Sequence, residues 1–382
     1  MLKKTVKLLQ IFILIMLAII LYEVTEISNK TINRNYVSFD LNNIRNPQIK
    51  RLMRYLDNFY ASILLSIKKD ERLHLINNDN RDELPDSKLI GKTTNYSENL
   101  YPKKNNGKDW TRNYGGHSSN RFSNLKIINK SNVNELEVAW HYKIKGETNY
   151  DIQSNAIVAN NKIFIPSYNK KIITLDARTG EFIWEFNLED YAPRRGMIFF
   201  PKKSNEPPKL FFSSYKKLIA INAETGKKIK KFGKDGTVKL KRPSITSPAI
   251  FEEKLIITTS EPSVEIYSLN NGKLLWKFIL MEKIKKRNGG KRHDYSGGNP
   301  WGGFSLDEKR GIAYLTTGNA GRYFNGVNRP GRNKFANSII AIDIKNKKKL
   351  WDFQEVRHDI WNLDIPAPPI LGSITLNKKK ID

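Results

Sequence analysis

With 382 residues and 39% hydrophobic side chains, the chain has length for two or three ordinary domains or one large repeat architecture, and enough apolar content to bury a core. The absence of cysteine excludes disulfides, thiolate metal sites, a lipid-anchored N-terminal cysteine and a cysteine nucleophile. Lys and Arg number 66 against 38 Asp and Glu, a net charge of +28, but the lysines are scattered through turns such as Lys227-Lys228 and Lys347-Lys348-Lys349, and no helix or groove motif gathers them, which argues against a nucleic-acid partner.

The first seven residues carry Lys3, Lys4 and Lys7, and Leu8 to Tyr22 is apolar except for Gln10. A helix over that stretch rises about 22 Å, slightly short of a bilayer core, so a secretory leader rivals a membrane span. No small-x-small cleavage site follows, and residues 1–30 therefore read as an uncleaved inner-membrane anchor, its lysines in the cytoplasm and the rest of the chain in the periplasm. From Ile49 to Ile67 apolar residues step at three and four, one face of an amphipathic helix. Its Lys50, Arg51 and Arg54 suit anionic headgroups, and the helix equally suits packing on the main domain. Residues 77–108 are rich in Asn, Asp and Lys, so 31–108 reads as a helical segment followed by a polar linker.

Beyond Trp110 the chain repeats. Asp176-Ala-Arg-Thr-Gly180, Asn222-Ala-Glu-Thr-Gly226 and Leu269-Asn-Asn-Gly272 each join two apolar runs, with the glycines 46 residues apart, and Trp184 and Trp276 follow the first and third by four residues. A fourth copy, Asp343 to Trp351, keeps the tryptophan but has Lys347 in place of the glycine. A period in the forties with four short strands per unit predicts an all-β fold, a β-propeller. In the unit that displays it best the strands are Asn155–Ala159, Lys162–Ser167, Lys171–Asp176 and Glu181–Phe186. Gly311–Thr317 and Ser338–Ile344 read as further buried strands. One four-stranded blade cannot bury both faces alone, and stacking blades does so, each tryptophan packing on its neighbour. Counting gives four blades between about 154 and 353 and the start of a fifth at Ala367, so 109–382 reads as a partial propeller belonging to a truncated, split or longer protein.

The repeat, Asp109-Trp-Thr-Arg-Asn-Tyr114 with Arg121-Phe-Ser123, the spacing from Trp301 to Asn319, and His358-Asp-Ile-Trp with its Pro-Ala-Pro-Pro tail together resemble the pyrroloquinoline-quinone (PQQ) dependent alcohol and glucose dehydrogenases. The resemblance implies an eight-bladed propeller with PQQ lying on calcium or another divalent or lanthanide ion. By this resemblance Trp301 is the platform under the cofactor ring, and an aromatic floor suits a flat tricyclic quinone; blade packing is the alternative duty for that indole. Arg195 matches an arginine that pairs with a cofactor carboxylate, a task for which its planar fork is suited. Thr246 and Ser260 match hydroxyl contacts, and Gln153 stands where relatives often place a glutamate. Asn319 matches an amide-oxygen metal ligand, although a Gly-Asn pair also serves as a turn.

Two departures stand beside these matches. The general-base aspartate of relatives corresponds here to Asn362, whose amide is no proton acceptor. Asp364, two residues on, points to the same side of an extended chain and is the local substitute as base and metal ligand. The loop at Ser260 to Glu265 is shorter than in relatives that donate a metal-binding glutamate there, leaving Glu261 as its stand-in. Two functions follow: a membrane-anchored periplasmic dehydrogenase oxidising an alcohol or sugar hydroxyl and reducing a respiratory quinone or cytochrome, or a propeller kept as a protein-binding or envelope-assembly scaffold. In either, a downstream polypeptide is a candidate source of the missing blades.

Overall fold

The computed structural model describes residues 109–123, 125–144, 153–202, 206–260, 262–280, 298–321, 331–376 and 378–381. The chain divides into two units, Met1–Ile63 and Leu64–Asp382, and all the described residues belong to the second. The apolar stretch Leu8–Tyr22, the helix expected from Ile49 to Ile67, the linker 77–108 and Glu261 lie outside them. Among the described residues no helix is long and apolar enough to cross a membrane.

Four four-stranded antiparallel sheets follow one another along the sequence, each a meander of adjacent strands. The first holds β1 (Ile157–Ala159), β2 (Lys162–Ser167), β3 (Lys171–Asp176) and β4 (Phe182–Asn187). The second holds β5 (Met197–Phe200), β6 (Lys209–Ser214), β7 (Lys217–Asn222) and β8 (Thr237–Lys239). The third holds β9 (Ala249–Phe251), β10 (Lys254–Thr259), β11 (Ser263–Ser268) and β12 (Leu274–Ile279). The fourth holds β13 (Phe304–Asp307), β14 (Ile312–Thr316), β15 (Ser338–Asp343) and β16 (Lys348–Gln354). A two-stranded ribbon, β17 (Ile374–Leu376) and β18 (Lys379–Ile381), comes last; the fifth unit thus begins its first strand seven residues after the expected Ala367.

The sheets are buried on both faces because each strand sends alternate side chains to opposite neighbours. In β5, Met197 and Phe199 join a core with Ile157, Phe164 and Ile172 of the first blade, while Ile198 joins Ile250, Leu255 and Ile257 of the third. A third core sets Ala249, Ile256 and Val264 of the third blade against Phe304, Leu315 and Ile340 of the fourth. The expected tryptophan docking is present. A Cβ built on Gly226 would fall 2.7 Å from the Trp184 ring of the preceding blade, and Gly226 has φ +70°, so that position demands glycine both for conformation and for space. The turn is closed by Asn222, whose backbone carbonyl accepts from Gly226 N–H at 2.9 Å and whose Oδ1 accepts from Glu224 N–H at 2.7 Å. In the fourth blade Lys347 takes up the same left-handed conformation, φ +56°.

Residues 109–119 connect to the first strand of every blade. Trp110 bridges Val158 of β1, Arg112 bridges Ile198 of β5, the His117 ring nitrogen Nε2 accepts from Ile250 N–H of β9, and the His117 carbonyl accepts from Leu306 N–H of β13. Ser118 then accepts from Leu371 N–H, ahead of β17. This segment is what carries Arg112, Asn113 and Tyr114 to the site.

Candidate cofactor site

The site is assembled from one position of the repeat. Arg195 precedes β5 by two residues, Thr246 precedes β9 by three, and Trp301 precedes β13 by three, so three blades contribute the loop entering their innermost strand. Arg195 and Thr246 are joined by a parallel β-bridge. With Arg112, Asn113, Tyr114, Ser247 and the Gly302-Gly303-Phe304 turn they line a cleft with about 250 Å³ of open space, its mouth included. Among the described residues two arginines line it and no carboxylate does.

The Arg195 guanidinium lies over the Trp301 ring, 4.4 Å from its centroid. Its Nε is buried without a hydrogen-bond partner among the described residues, and burial lowers its pKa, with Tyr114 opposing. Asn113 holds the loop by donating from Nδ2 to the Arg195 carbonyl at 3.1 Å. Arg112 is more deeply set: its Nε donates to Pro248 O at 2.7 Å, its Nη2 to Ser247 O at 3.0 Å, and it lies over the Phe304 ring at 4.8 Å. Burial brings its pKa down to about 10, which leaves it charged at neutral pH.

Trp301 sits in a tight turn, its N–H donating to Asn299 O at 2.8 Å, while Gly318 N–H reaches the same carbonyl at 3.0 Å. A Cβ on Gly318 would come within 2.6 Å of the Trp301 indole nitrogen and 2.8 Å of Asp364 Oδ1, so the backbone passes close against the indole nitrogen and the carboxylate it meets. Asp364 ties these pieces together: its Oδ2 accepts from Trp301 Nε1 at 2.8 Å and its Oδ1 from the backbone N–H of the buried Asn319. The loop carrying Asp364 is folded around Asp359, whose Oδ1 accepts from Trp361 N–H and whose Oδ2 accepts from Leu363 N–H, both at 2.7 Å. Asn337, fully buried, donates from Nδ2 to Asp359 Oδ2 at 2.9 Å and to Leu363 O at 2.7 Å.

Of the residues expected from sequence, the structure brings Trp301, Arg195, Asn319 and Asp364 into one contact group, with Thr246 in the cleft wall and its Oγ1 2.7 Å from that of Thr258. Gln153 and Ser260 are not in the cleft lining: Gln153 is exposed, its backbone N–H on Arg194 O, and the Ser260 N–H is bonded to Pro243 O. Asn362 is exposed with φ +61°. Sequence reasoning missed Arg112, Asn113, Tyr114 and Ser247. The available signal was Arg112 itself, a charged residue two places after Trp110 in a segment read only for its overall likeness.

An indole platform and an arginine fork are groups suited to a flat anionic ring, but here the Arg195 guanidinium itself covers the Trp301 face and Arg112 is committed to the Pro248 and Ser247 carbonyls. The donor set for a metal ion is thinner. Both oxygens of Asp364 already accept N–H groups, and among the described residues there is no cluster of three His, Asp or Glu side chains able to hold a cation.

The profile of the β-propeller domain of PQQ-type glucose, ethanol and alcohol dehydrogenases matches residues 110–382. The quinoprotein glucose dehydrogenase of Escherichia coli strain K12 is 28% identical over 72% of this chain and 40% of its own length. The glycerol dehydrogenase large subunit of Gluconobacter oxydans is 27% identical over 69% of this chain and 41% of its own. Among solved structures, the quinohemoprotein alcohol dehydrogenase of Comamonas testosteroni has a TM-score of 0.60 at 21% identity, covering 74% of this chain and 46% of that one. A europium-containing methanol dehydrogenase has a TM-score of 0.59 at 20% identity, covering 74% and 55%. The chain spans about two fifths of the length of these curated relatives.

Proposed function

Because the chain belongs to the PQQ-type β-propeller family of the glucose, ethanol and alcohol dehydrogenases, we propose that it is the cofactor-holding part of a quinoprotein oxidoreductase. Its substrate is an alcohol or sugar hydroxyl, its electron acceptor a respiratory quinone or cytochrome, and its place the periplasmic face of the inner membrane. The observation that carries this reading is the stacking of Arg195 on Trp301 in a cleft to which Arg112 also belongs. When bound, PQQ would supply the hydride acceptor. The Trp301 indole would receive the ring face, and Arg195, leaving that face, would turn its fork to a carboxylate. Thr246 and Asn113 close the wall behind it.

Asp364, bonded to the platform indole, is the candidate proton acceptor; to act, it must give up one of its two N–H partners. Among the described residues Asn319 and Asp364 alone would make a poor oxygen cage for a metal ion, and Asp364 is already engaged. A non-catalytic scaffold is the second reading, favoured by the exposed Asn362 where relatives carry their base.

The test is quinone binding by the full-length protein, followed by equilibrium dialysis and by quenching of tryptophan fluorescence. Trp301→Ala is expected to weaken binding at least tenfold, and Arg195→Lys several-fold, because a point charge replaces a bidentate fork. Dye-linked alcohol or sugar oxidation with added calcium or lanthanide should be lost in Asp364→Ala and kept or raised in Asn362→Asp. No quinone binding by the full-length wild type would leave the scaffold.

A further inference from the structure

Asn337 is fully buried and holds a left-handed backbone, φ +45°. Its side-chain Oδ1 has no hydrogen-bond partner among the described residues. A conformation that glycine, asparagine and aspartate alone take readily, together with an idle buried acceptor, is a cost that something else must offset. The offset lies in its donors. Nδ2 donates one hydrogen to Asp359 Oδ2 at 2.9 Å and the other to the Leu363 carbonyl at 2.7 Å. Turning the amide over would set Oδ1 against these two acceptors, so the network fixes its orientation.

The backbone of the same residue holds the other side of the site. Its N–H donates to Gly318 O at 2.9 Å. That carbonyl belongs to the peptide group whose N–H is that of Asn319, the donor to Asp364 Oδ1. Asn337 therefore grips both ends of one hydrogen bond, the acceptor's loop through its amide and the donor's peptide through its backbone. A peptide polarised at its carbonyl is a better donor at its N–H, so the two bonds reinforce each other. The outer side of the loop does less to locate it, since Trp361 and Leu363 are 73% and 52% exposed and little apolar packing covers them.

We propose that Asn337 is a positioning residue, which sets the Asp364 carboxylate against the Trp301 indole nitrogen by holding both the loop that carries Asp364 and the peptide that bonds it. Asn337 is not among the residues lining the cleft and acts through Asp364. This inference deepens the quinone reading, but only its consequence for quinone affinity rests on that reading.

The test is made on the full-length protein without quinone and reads the Trp301 indole N–H by heteronuclear NMR, the signal being identified from Trp301→Phe. In Asn337→Gly, which keeps the left-handed turn and removes only the amide, that N–H should exchange with solvent about tenfold faster or more. Its resonance should move upfield as the bond to the carboxylate loosens. Asn337→Asp keeps the volume but sets a carboxylate against Asp359, and should act in the same direction. The β6 and β7 amides should keep their protection in both variants. In an Asp364→Ala background, where indole exchange is already fast, Asn337→Gly should add less than about twofold, because no carboxylate is left to place. An unchanged indole signal in both variants would overturn the proposal. So would an equal acceleration in the Asp364→Ala background, or protection lost across β6 and β7 in both variants, either of which would make Asn337 a general brace of the fold. Quinone affinity is read separately and should fall severalfold in Asn337→Gly. A wild type that binds no quinone counts against the proposed function alone, since the indole signal still decides the positioning.

Discussion

Two turns of the repeat, Gly226 and Lys347, solve the same backbone problem with different residues. At Gly226 the left-handed φ is free of strain and the missing Cβ makes room for Trp184. At Lys347 the conformation persists at φ +56° with a side chain that disfavours it, a cost of about 1 kcal/mol. Opposite substitutions should therefore have opposite signs. Gly226→Ala should destabilise by about 2–4 kcal/mol, combining the φ penalty with overlap on a fixed ring, whereas Lys347→Gly should stabilise by a few tenths to about 1 kcal/mol. Urea midpoints measure both, and a destabilised Lys347→Gly variant would refute the equivalence of the two turns. A second residue-scale expectation concerns Glu206, which bonds both the fully buried Lys209 and the exposed Lys231, and whose pKa these partners bring down to about 2. A lowered carboxylate pKa stabilises the fold above its ordinary value near 4.5 and loses that contribution as pH falls towards 2. Glu206→Gln should cost about 1–2 kcal/mol at pH 7, between an exposed pair and a buried one, and the difference from wild type should shrink below pH 4.

At the scale of elements, residues 109–119 do the most for the site. They reach the first strands of four blades, and the buried Arg112 fastens them to the Ser247 and Pro248 carbonyls of the third. Arg112→Met keeps much of the stem volume but leaves two buried carbonyls without that donor, at about 1–3 kcal/mol. The expected result is faster proteolysis within 109–119 and weaker quinone binding than stability loss alone accounts for; unchanged cleavage would remove the segment from its fastening role. None of this was legible in the sequence, because the contacts of Arg112 span 135 and 136 residues and no local pattern encodes them. The strands themselves were. Lys162–Ser167 and Lys171–Asp176 are found at their expected bounds, and β1 and β4 shift by one or two residues, since turn glycines and alternating apolar runs are local signals. Trp301, Arg195 and Asp364 were legible through likeness to a family, but the hydrogen bonds that tie Asp364 to Trp301 and Asn319 were not: the expected metal ligand is engaged in fixing the platform.

Over the whole molecule the charge excess decides how stability responds to salt. The described ion pairs, such as Lys171–Glu185 at 2.6 Å and Lys217–Glu189 at 2.6 Å, are mostly partly exposed, and such pairs contribute about 0–1 kcal/mol each, which salt reduces. Against them stands a net charge of +28, whose self-repulsion salt relieves. With 66 basic and 38 acidic side chains, 28 bases remain even if every acid pairs with one, so the repulsive sum outweighs the pairs and added sodium chloride should raise the thermal midpoint between about 0.05 and 0.5 M. Acid sharpens the contrast. The carboxylates of Asp176, Glu189, Glu252 and Asp343 are all held below their ordinary range, Asp176 chiefly by the Thr179 and Arg178 backbone N–H groups and Glu189 by Lys217. For Asp343, burial pulls upward but the bonds from Asn346 prevail. Each therefore contributes stability above its unfolded pKa that disappears as pH falls through its folded one, while every proton bound adds to the positive excess. The chain should lose stability steeply below about pH 4.5, and salt should recover more at pH 4 than at pH 7. Thermal scans across a grid of pH and ionic strength measure this directly. A midpoint that falls with salt at pH 7 would mean that the ion pairs, and not the net charge, govern the electrostatics of this propeller.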